Sequence, residues 1–340
     1  MKDGTFITMG IESSCDETSV AILAGDHMLR SNVIASQIPV HQAYGGVVPE
    51  IASRHHLKNF NRVYRQALDE ADVTLEDVDL IGVTCGPGLV GALLMGLASA
   101  KALAFVGKKP LVGVHHIQGH INANYLEFPE LKPPFLALVV SGGHTHLIDV
   151  RSDVEYKVLG RTRDDAAGEA YDKVARVLGL GYPGGPKIDL LAKQGNEKAI
   201  PFKRVYLEKD SLDFSFSGTK TGVLNYLNQQ KQKGEEIVPA DVAASFQAAV
   251  MEVIVEKAIR AAKRTGRTQL AMAGGVASNS YLRRMLGEAC RKENLRLYCP
   301  SPVLCTDNAG MIAAAAYRRY RAGQIDDLYL DANPSLSIEK

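Results

Sequence analysis

Two stretches of this chain repeat one local plan. Val83-Thr-Cys-Gly-Pro-Gly88 ends an apolar run in a glycine turn and leads into a small-residue helix, and Met272-Ala-Gly-Gly-Val276 does the same near the other end. Each follows three β-type runs in its own half. These are Thr5 to Glu12, Thr18 to Ala24 and Met28 to Ala35 in the first, and Phe135 to Val140, Thr145 to Val150 and Tyr156 to Leu159 in the second. The pattern reads as an internal duplication of one α/β unit. A chain of that kind is expected to bind its ligand in a cleft between two lobes, with glycine turns from the carboxyl ends of strands meeting on phosphates.

The rest of the chain fits this frame. Ile51, His55, Leu57, Phe60, Val63, Tyr64 and Leu68 recur at helical spacing and predict a helix from Pro49 to about Ala71. Further helices are expected over Ala92 to Val106, about 217 to 231, about 239 to 265, Ser280 to Lys292 and Asp307 to Ala322, with strands at Leu80 to Cys85, Leu111 to Val114, Gln269 to Ala273 and Leu295 to Cys299. Lys132-Pro133-Pro134 interrupts helix and central strand alike and marks a boundary. The domains are therefore read as a first lobe over 1–133, completed by the C-terminal helix 307–323, a second lobe over 134–306, and a tail over 324–340. Gly86-Pro87-Gly88, at a strand end and before a helix, reads as an anion site of moderate strength. The polar turn Ser13 to Glu17 reads as a hairpin more readily than as a phosphate cradle.

A histidine pair carries the sharpest chemistry. His116 and His120 follow the short strand Leu111 to Val114 and stand four residues apart, so both imidazoles project from one helical face and can share a metal ion. A third ligand is needed, and Asp307 in Cys305-Thr-Asp-Asn308 is the best candidate, although N-capping the following helix is the commoner job for an Asp there. Ile117 follows His116 where an H-E-x-x-H peptidase carries its Glu base, so the peptidase reading has ligands but no base.

Composition excludes several classes. With 46% hydrophobic residues in 340, the chain can bury a large core. Its net charge of +1 gives no global footprint for nucleic acid. RNA binding would rest on local clusters such as Lys257, Arg260, Lys263, Arg264 and Arg267, Arg283, Arg284, Arg291 and Lys292, or Arg318, Arg319 and Arg321. Five scattered cysteines without C-x-x-C spacing point to reduced thiols and a cytoplasmic protein. No signal peptide is evident at the N-terminus, and apolar stretches are expected to fall short of a membrane span.

Ten ordered motifs together resemble one family. They include Glu12-Ser-Ser-Cys-Asp16-Glu17-Thr, His41-x-x-Tyr44-Gly-Gly-Val-Val-Pro-Glu50, His115-His116-x-x-Gly-His120, Val140-Ser-Gly-Gly-His-Thr145, Gly181-Tyr-Pro-Gly-Gly-Pro186, Phe214-Ser-Phe-Ser-Gly-Thr-Lys220, Gly274-Gly-Val-Ala-x-Asn279 and Cys305-Thr-Asp-Asn308. From residue 7 to about 322 the chain is similar to the bacterial tRNA adenosine threonylcarbamoyltransferases. The resemblance implies a duplicated actin-like ATPase fold, shared with acetate and sugar kinases and Hsp70. It also implies transfer of threonylcarbamoyl from threonylcarbamoyl-AMP to N6 of the adenosine 3′ of the anticodon, in tRNAs reading codons that begin with A, with release of AMP. By family motif, one divalent metal, iron or zinc, falls on His116, His120 and Asp307. The adenylate falls on Val139, Val140, Ser141, Gly142, Gly143, Asp172, Gly185, Asp189 and Asn279. The implied partners are tRNA, a smaller inactive paralogue of the same fold, an accessory P-loop ATPase and the synthase that supplies the adenylate.

The residue types suit such chemistry. A threonylcarbamoyl adenylate is a mixed anhydride, so the enzyme has to orient it, polarise the carbamoyl carbonyl and stabilise the departing phosphate. The amino group of adenine is a poor nucleophile whose proton needs an acceptor, and Asp16, helped by Glu17, is the candidate base. Two rivals remain at this stage. A small-molecule kinase or ATPase of the same fold needs no histidine pair, and a catalytically silent nucleotide-binding scaffold needs no intact His116.

Overall fold

β1 (Ile7–Glu12) and β2 (Glu17–Ala24) are buried almost throughout, which is why they read as continuous apolar runs, whereas β3 (Met28–Ser36) alternates between buried and exposed residues as an outer strand does. The computed structural model describes residues 4–339. After a short helix α1 (Ile38–Gln42), α2 (Pro49–Ala71) starts on a proline in its first turn and stops at Asp72, which takes a left-handed φ of 54°. There follow β4 (Leu80–Gly86), α3 (Val90–Gly107), β5 (Leu111–His115), α4 (His116–Asn122) and α5 (Asn124–Glu127). The sheet runs β3-β2-β1-β4-β5. β1 and β2 pair antiparallel with Ile11 opposite Val20, while β1 with β4 and β4 with β5 pair parallel.

The second half repeats this order. β6 (Phe135–Val140), β7 (Thr145–Val150) and β8 (Tyr156–Arg161) precede α6 (Ala167–Val177), α7 (Gly184–Ala192), α8 (Ser217–Lys233) and α9 (Pro239–Thr265). β9 (Gln269–Ala273), α10 (Ser280–Lys292) and β10 (Arg296–Tyr298) complete it, and the sheet runs β8-β7-β6-β9-β10. Third, second, first, fourth, fifth is the strand order in both halves. Both also have an antiparallel first hairpin and parallel fourth and fifth strands.

The chain then adds α11 (Pro302–Cys305) and α12 (Ala309–Arg321). α12 packs on the first sheet across Gly10 and Gly82, where a Cβ would come within 2.2 Å of Ala309 O and 2.3 Å of Ala316 Cβ respectively. Small residues on both surfaces let helix and sheet backbones approach closely. Two compact units result: residues 4–133, 151–156 and 300–339 form one, and residues 134–150 and 157–299 the other. Sequence alone sets the second boundary at 306 and leaves 324–340 as a tail. In the structure the return to the first unit begins at Pro300, and residues 324–339 lie along that unit.

α3 departs from expectation. Its 18 residues are long and apolar enough to cross a membrane, contrary to the reading that no stretch is. It packs on β4 and α2 through Ala92, Leu93, Gly96, Leu97, Ala100 and Ala104 and leaves Val90, Leu94, Phe105 and Val106 exposed.

Candidate metal centre and nucleotide cradle

α4 delivers the histidines. β5 ends at His115, whose imidazole Nδ1 accepts the Ile117 N–H at 3.1 Å and so caps the helix, while His116 and His120 point from one face with ring centroids 4.6 Å apart. Asp307 arrives from the loop before α12. Its Oδ1 lies 3.6 Å from His116 Nε2 and 3.2 Å from His120 Nε2, and the three ligand atoms lie within 4.8 Å of one another. Ligands about 2.1 Å from one tetrahedral ion stand about 3.4 Å apart. Asn308, not Asp307, caps α12, through its Oδ1 and the Met311 N–H at 3.1 Å. Asp307 is thereby released from the commoner role that the sequence left open.

The surroundings favour an ion. His120 is 1% exposed, yet neither of its ring nitrogens has a hydrogen-bond partner. A buried nitrogen left so costs about 1–3 kcal/mol, and a metal on Nε2 removes that penalty at one of the two. His116 is turned the right way by a residue that sequence reasoning passed over. Its Nδ1 faces Glu12 Oε2 at 3.2 Å and Ser14 Oγ at 3.1 Å, which leaves Nε2 for the ion. Glu12 is itself fixed by the Thr84 hydroxyl at 2.6 Å and the Ser14 N–H at 2.5 Å. Burial alone would lower the pKa of His116, but the carboxylates of Asp307 and Glu12 outweigh it and raise the imidazole to about 9. Burial likewise opposes ionisation of Glu12, and His116 reverses that, holding its pKa below the usual carboxylate value. Glu12 opens a quoted motif, but only the fold brings it under His116.

Asp16 ends the β1–β2 turn of the same unit and Glu17 opens β2. The Asp16 carbonyl accepts the Gln37 N–H, and Glu17 Oε1 accepts the Ser36 hydroxyl at 3.0 Å. Burial, then Asp16 and then Asp307, push the Glu17 carboxyl well above its ordinary value. The same three causes hold the Cys15 thiol well above its own.

The nine residues expected on the adenylate all lie in the second unit, linked by a chain of contacts. Val139 and Val140 end β6, and Ser141-Gly142-Gly143 turns toward β7. Gly168, at the start of α6, donates its N–H to Ser141 O at 3.2 Å, and a Cβ there would sit 2.6 Å from the same oxygen. Asp172 Oδ1 accepts the Gly184 N–H at 2.7 Å. Asp189 takes the hydroxyl and N–H of Ser280 at 2.9 and 3.1 Å, so both acids hold backbone in place and are not merely solvated helix charges. Asn279 caps α10 through Leu282 N–H at 2.9 Å and donates to Gln247 Oε1 at 2.8 Å. A Cβ at Gly274, whose φ is +88°, would strike Val140 O at 2.4 Å, whereas at Gly142, Gly143, Gly185 and Gly275 it would meet nothing within 4 Å. At those four positions bare backbone borders open space.

One expectation needs correction. Gly86 and Gly88 serve the protein itself. A Cβ on Gly86 would lie 2.0 Å from Asn333 O, and one on Gly88 would lie 2.6 Å from Ser14 O, so this turn is packed by chain and leaves no room for an anion. Several residues of the basic clusters have partners within the chain. Lys257 is 1% exposed and donates to Asp213 O, Arg267 grips Asp149 at 2.7 and 3.1 Å, and Lys263 reaches Glu293 at 2.7 Å. Arg318 stacks 3.9 Å above the Tyr125 ring.

The repeated strand order defines an α/β protein of the actin-like ATPase fold, here with a His-His-Asp cluster suited to a divalent metal. Solved structures agree on the fold. HypF in its phosphate- and nucleotide-bound form superposes with a TM-score of 0.63 at 14% identity, over 94% of this chain and 46% of HypF. The Acidaminococcus fermentans (R)-2-hydroxyglutaryl-CoA dehydratase component A gives 0.54 at 16%, over 94% of this chain and all of that one. The family model described as TsaD, tRNA N6-adenosine threonylcarbamoyltransferase, matches residues 28–314. Proteins of that name from Clostridium beijerinckii and Clostridioides difficile are 57% and 54% identical over 98% of this chain, covering 98% and 99% of their own lengths. The chain belongs to the tRNA N6-adenosine threonylcarbamoyltransferase family.

Proposed function

We propose that His116, His120 and Asp307 hold the ion that serves the family's reaction, and that the cradle of the second unit holds the adenylate. The enzyme is a metal-dependent acyltransferase that moves threonylcarbamoyl from threonylcarbamoyl-AMP to N6 of adenosine 37 of tRNA and releases AMP. The single observation that carries the assignment is the buried His120, with no hydrogen bond at either nitrogen and Asp307 Oδ1 3.2 Å from its Nε2, beside an imidazole already oriented by Glu12. A divalent ion held by these three residues would supply Lewis acidity for the acyl transfer. Two His and one Asp accept iron or zinc alike.

In this reading the N–H groups of Gly142 and Gly143 face the adenylate phosphate, the Ser141 N–H closes the turn on His144 O, Asp189 and Asn279 keep the start of α10 in place, and Asp172 fixes the Gly184-Gly185 turn. Asp16 takes the proton from N6 as the new C–N bond forms and the bond from carbonyl carbon to phosphate oxygen breaks, with AMP as leaving group. Glu17 is the helper beside it, its carboxyl pushed above the usual range by burial and then by Asp16. A smaller paralogue, a P-loop ATPase and the adenylate synthase complete the system. The exposed Val90, Leu94, Phe105 and Val106 of α3 offer apolar surface that a partner can cover. Action on tRNA supports a cytoplasmic location.

The test is purified chain with synthetic threonylcarbamoyl-AMP and unmodified tRNA, with and without partners, followed by nucleoside analysis. Modified adenosine with stoichiometric AMP is expected. ATP turnover in the absence of tRNA, with no modified nucleoside, would instead favour a kinase of the same fold.

A further inference from the structure

Residues 324–339 form a strap along the edge strand β5, from its amino end at Leu111 to the carboxyl ends of β4 and β5 at Cys85 and His115. Asp326 N–H donates to Leu111 O at 2.9 Å, and Asp326 Oδ2 accepts the Gly113 N–H at 2.8 Å, which ties the strap to β5. Further on, Asn333 N–H donates to Cys85 O at 2.8 Å, and Pro334 O accepts the Gly88 N–H at 3.3 Å, which ties it to the end of β4. Leu330 and Leu336 pack into the core of this unit. Two routes lead from these contacts to the histidine cluster. His115, buried at 5% exposure, has its Nε2 3.0 Å from Leu336 O while its Nδ1 accepts the Ile117 N–H. The single imidazole thus carries its proton on Nε2 and couples the strap to the first turn of α4, one residue before His116. The second route runs through the Gly86–Gly88 turn, which lies against Ser14, whose hydroxyl is 3.1 Å from His116 Nδ1.

We infer that the strap is part of the metal centre's support: Leu336 O, acting through His115, is a positioning device that sets the attitude of α4 and hence the affinity of the His116–His120–Asp307 cluster for a divalent cation. The inference rests on the metal reading given above. Ligand-orienting groups outside the coordination sphere are worth about 10- to 100-fold in metal affinity. His115 touches neither ion nor substrate in this account, so its effect has to show in the ion's binding and geometry.

Cobalt(II) is the probe. Its affinity is measured on the full chain by competition with a chelator, and its visible absorption reports coordination geometry. His115→Asn keeps an oxygen able to cap α4 but is too short to reach the strap. A chain terminated after Ser335 removes Leu336 O and keeps the Asn333 and Pro334 contacts. Each is expected to bind cobalt about tenfold more weakly with an altered spectrum, at unchanged far-ultraviolet circular dichroism. The double variant should lose no more than either alone, because one link is broken twice. Additive losses, or affinities within twofold of the parent, would overturn the strap's role while leaving the metal site standing. A parent chain that binds no cobalt would overturn both.

Discussion

At the scale of single residues, the first unit concentrates charge where water is scarce, and this makes its behaviour predictable. His120→Ala or Asp307→Ala should lower divalent-metal affinity by more than the roughly 100-fold upper range of outer-shell changes, measured by chelator competition. Glu12→Gln keeps an acceptor for the His116 N–H but loses the charge, so a loss of about tenfold is expected in the same assay. For Asp16→Asn, transfer at saturating adenylate should fall by about 10²–10⁴ while adenylate affinity is retained, and full transfer would remove Asp16 as base. Glu17 gives a pH signature. Its folded pKa is raised above the ordinary value, so its favourable contribution is complete below the unfolded pKa and is lost as pH rises through the folded one. Glu17→Gln should therefore raise the melting temperature over the parent at pH 8 and by little at pH 4. An equal shift at both pH values would show that burial and Asp16 do not act on it as described.

Among the elements, close approach explains what spacing could only outline. The strands of both sheets were legible because buried β-branched runs between turn residues have few other readings, and β6, β7 and β9 begin and end where the residues suggest. α7 was not legible: Gly184-Gly185-Pro186 opens it, and those residue types read as loop until Asp172 is seen holding the Gly184 N–H. The role of Gly10 was equally hidden, because it depends on α12 arriving from three hundred residues away. Gly10→Ala puts a methyl 2.2 Å from Ala309 O and should cost about 1–3 kcal/mol in urea unfolding, with the midpoint lowered at an unchanged m-value. A neutral result would mean that α12 can slide on the sheet.

For the whole molecule, the sequence disclosed the duplication and the three residues of the His-His-Asp cluster and concealed their supports. His116 and His120 announce themselves by spacing, but Glu12 beneath them and Leu336 O behind His115 are tertiary relations with no local period. The residues after 323 read as a tail because no hydrophobic period marks them, yet Leu330 and Leu336 help to close the first core. The partners of some cationic residues were hidden as well, since Asp149, which Arg267 holds, lies more than a hundred residues away. The central claim is that one ion on His116, His120 and Asp307 is required for acyl transfer to tRNA. It is tested most directly by stripping the ion from the chain, supplying threonylcarbamoyl-AMP, tRNA and partners, and quantifying modified adenosine before and after iron or zinc is restored. The account predicts no product from stripped protein, recovery on adding metal to the parent chain, and no recovery for Asp307→Ala. Full product from the stripped chain, or from Asp307→Ala, would contradict it.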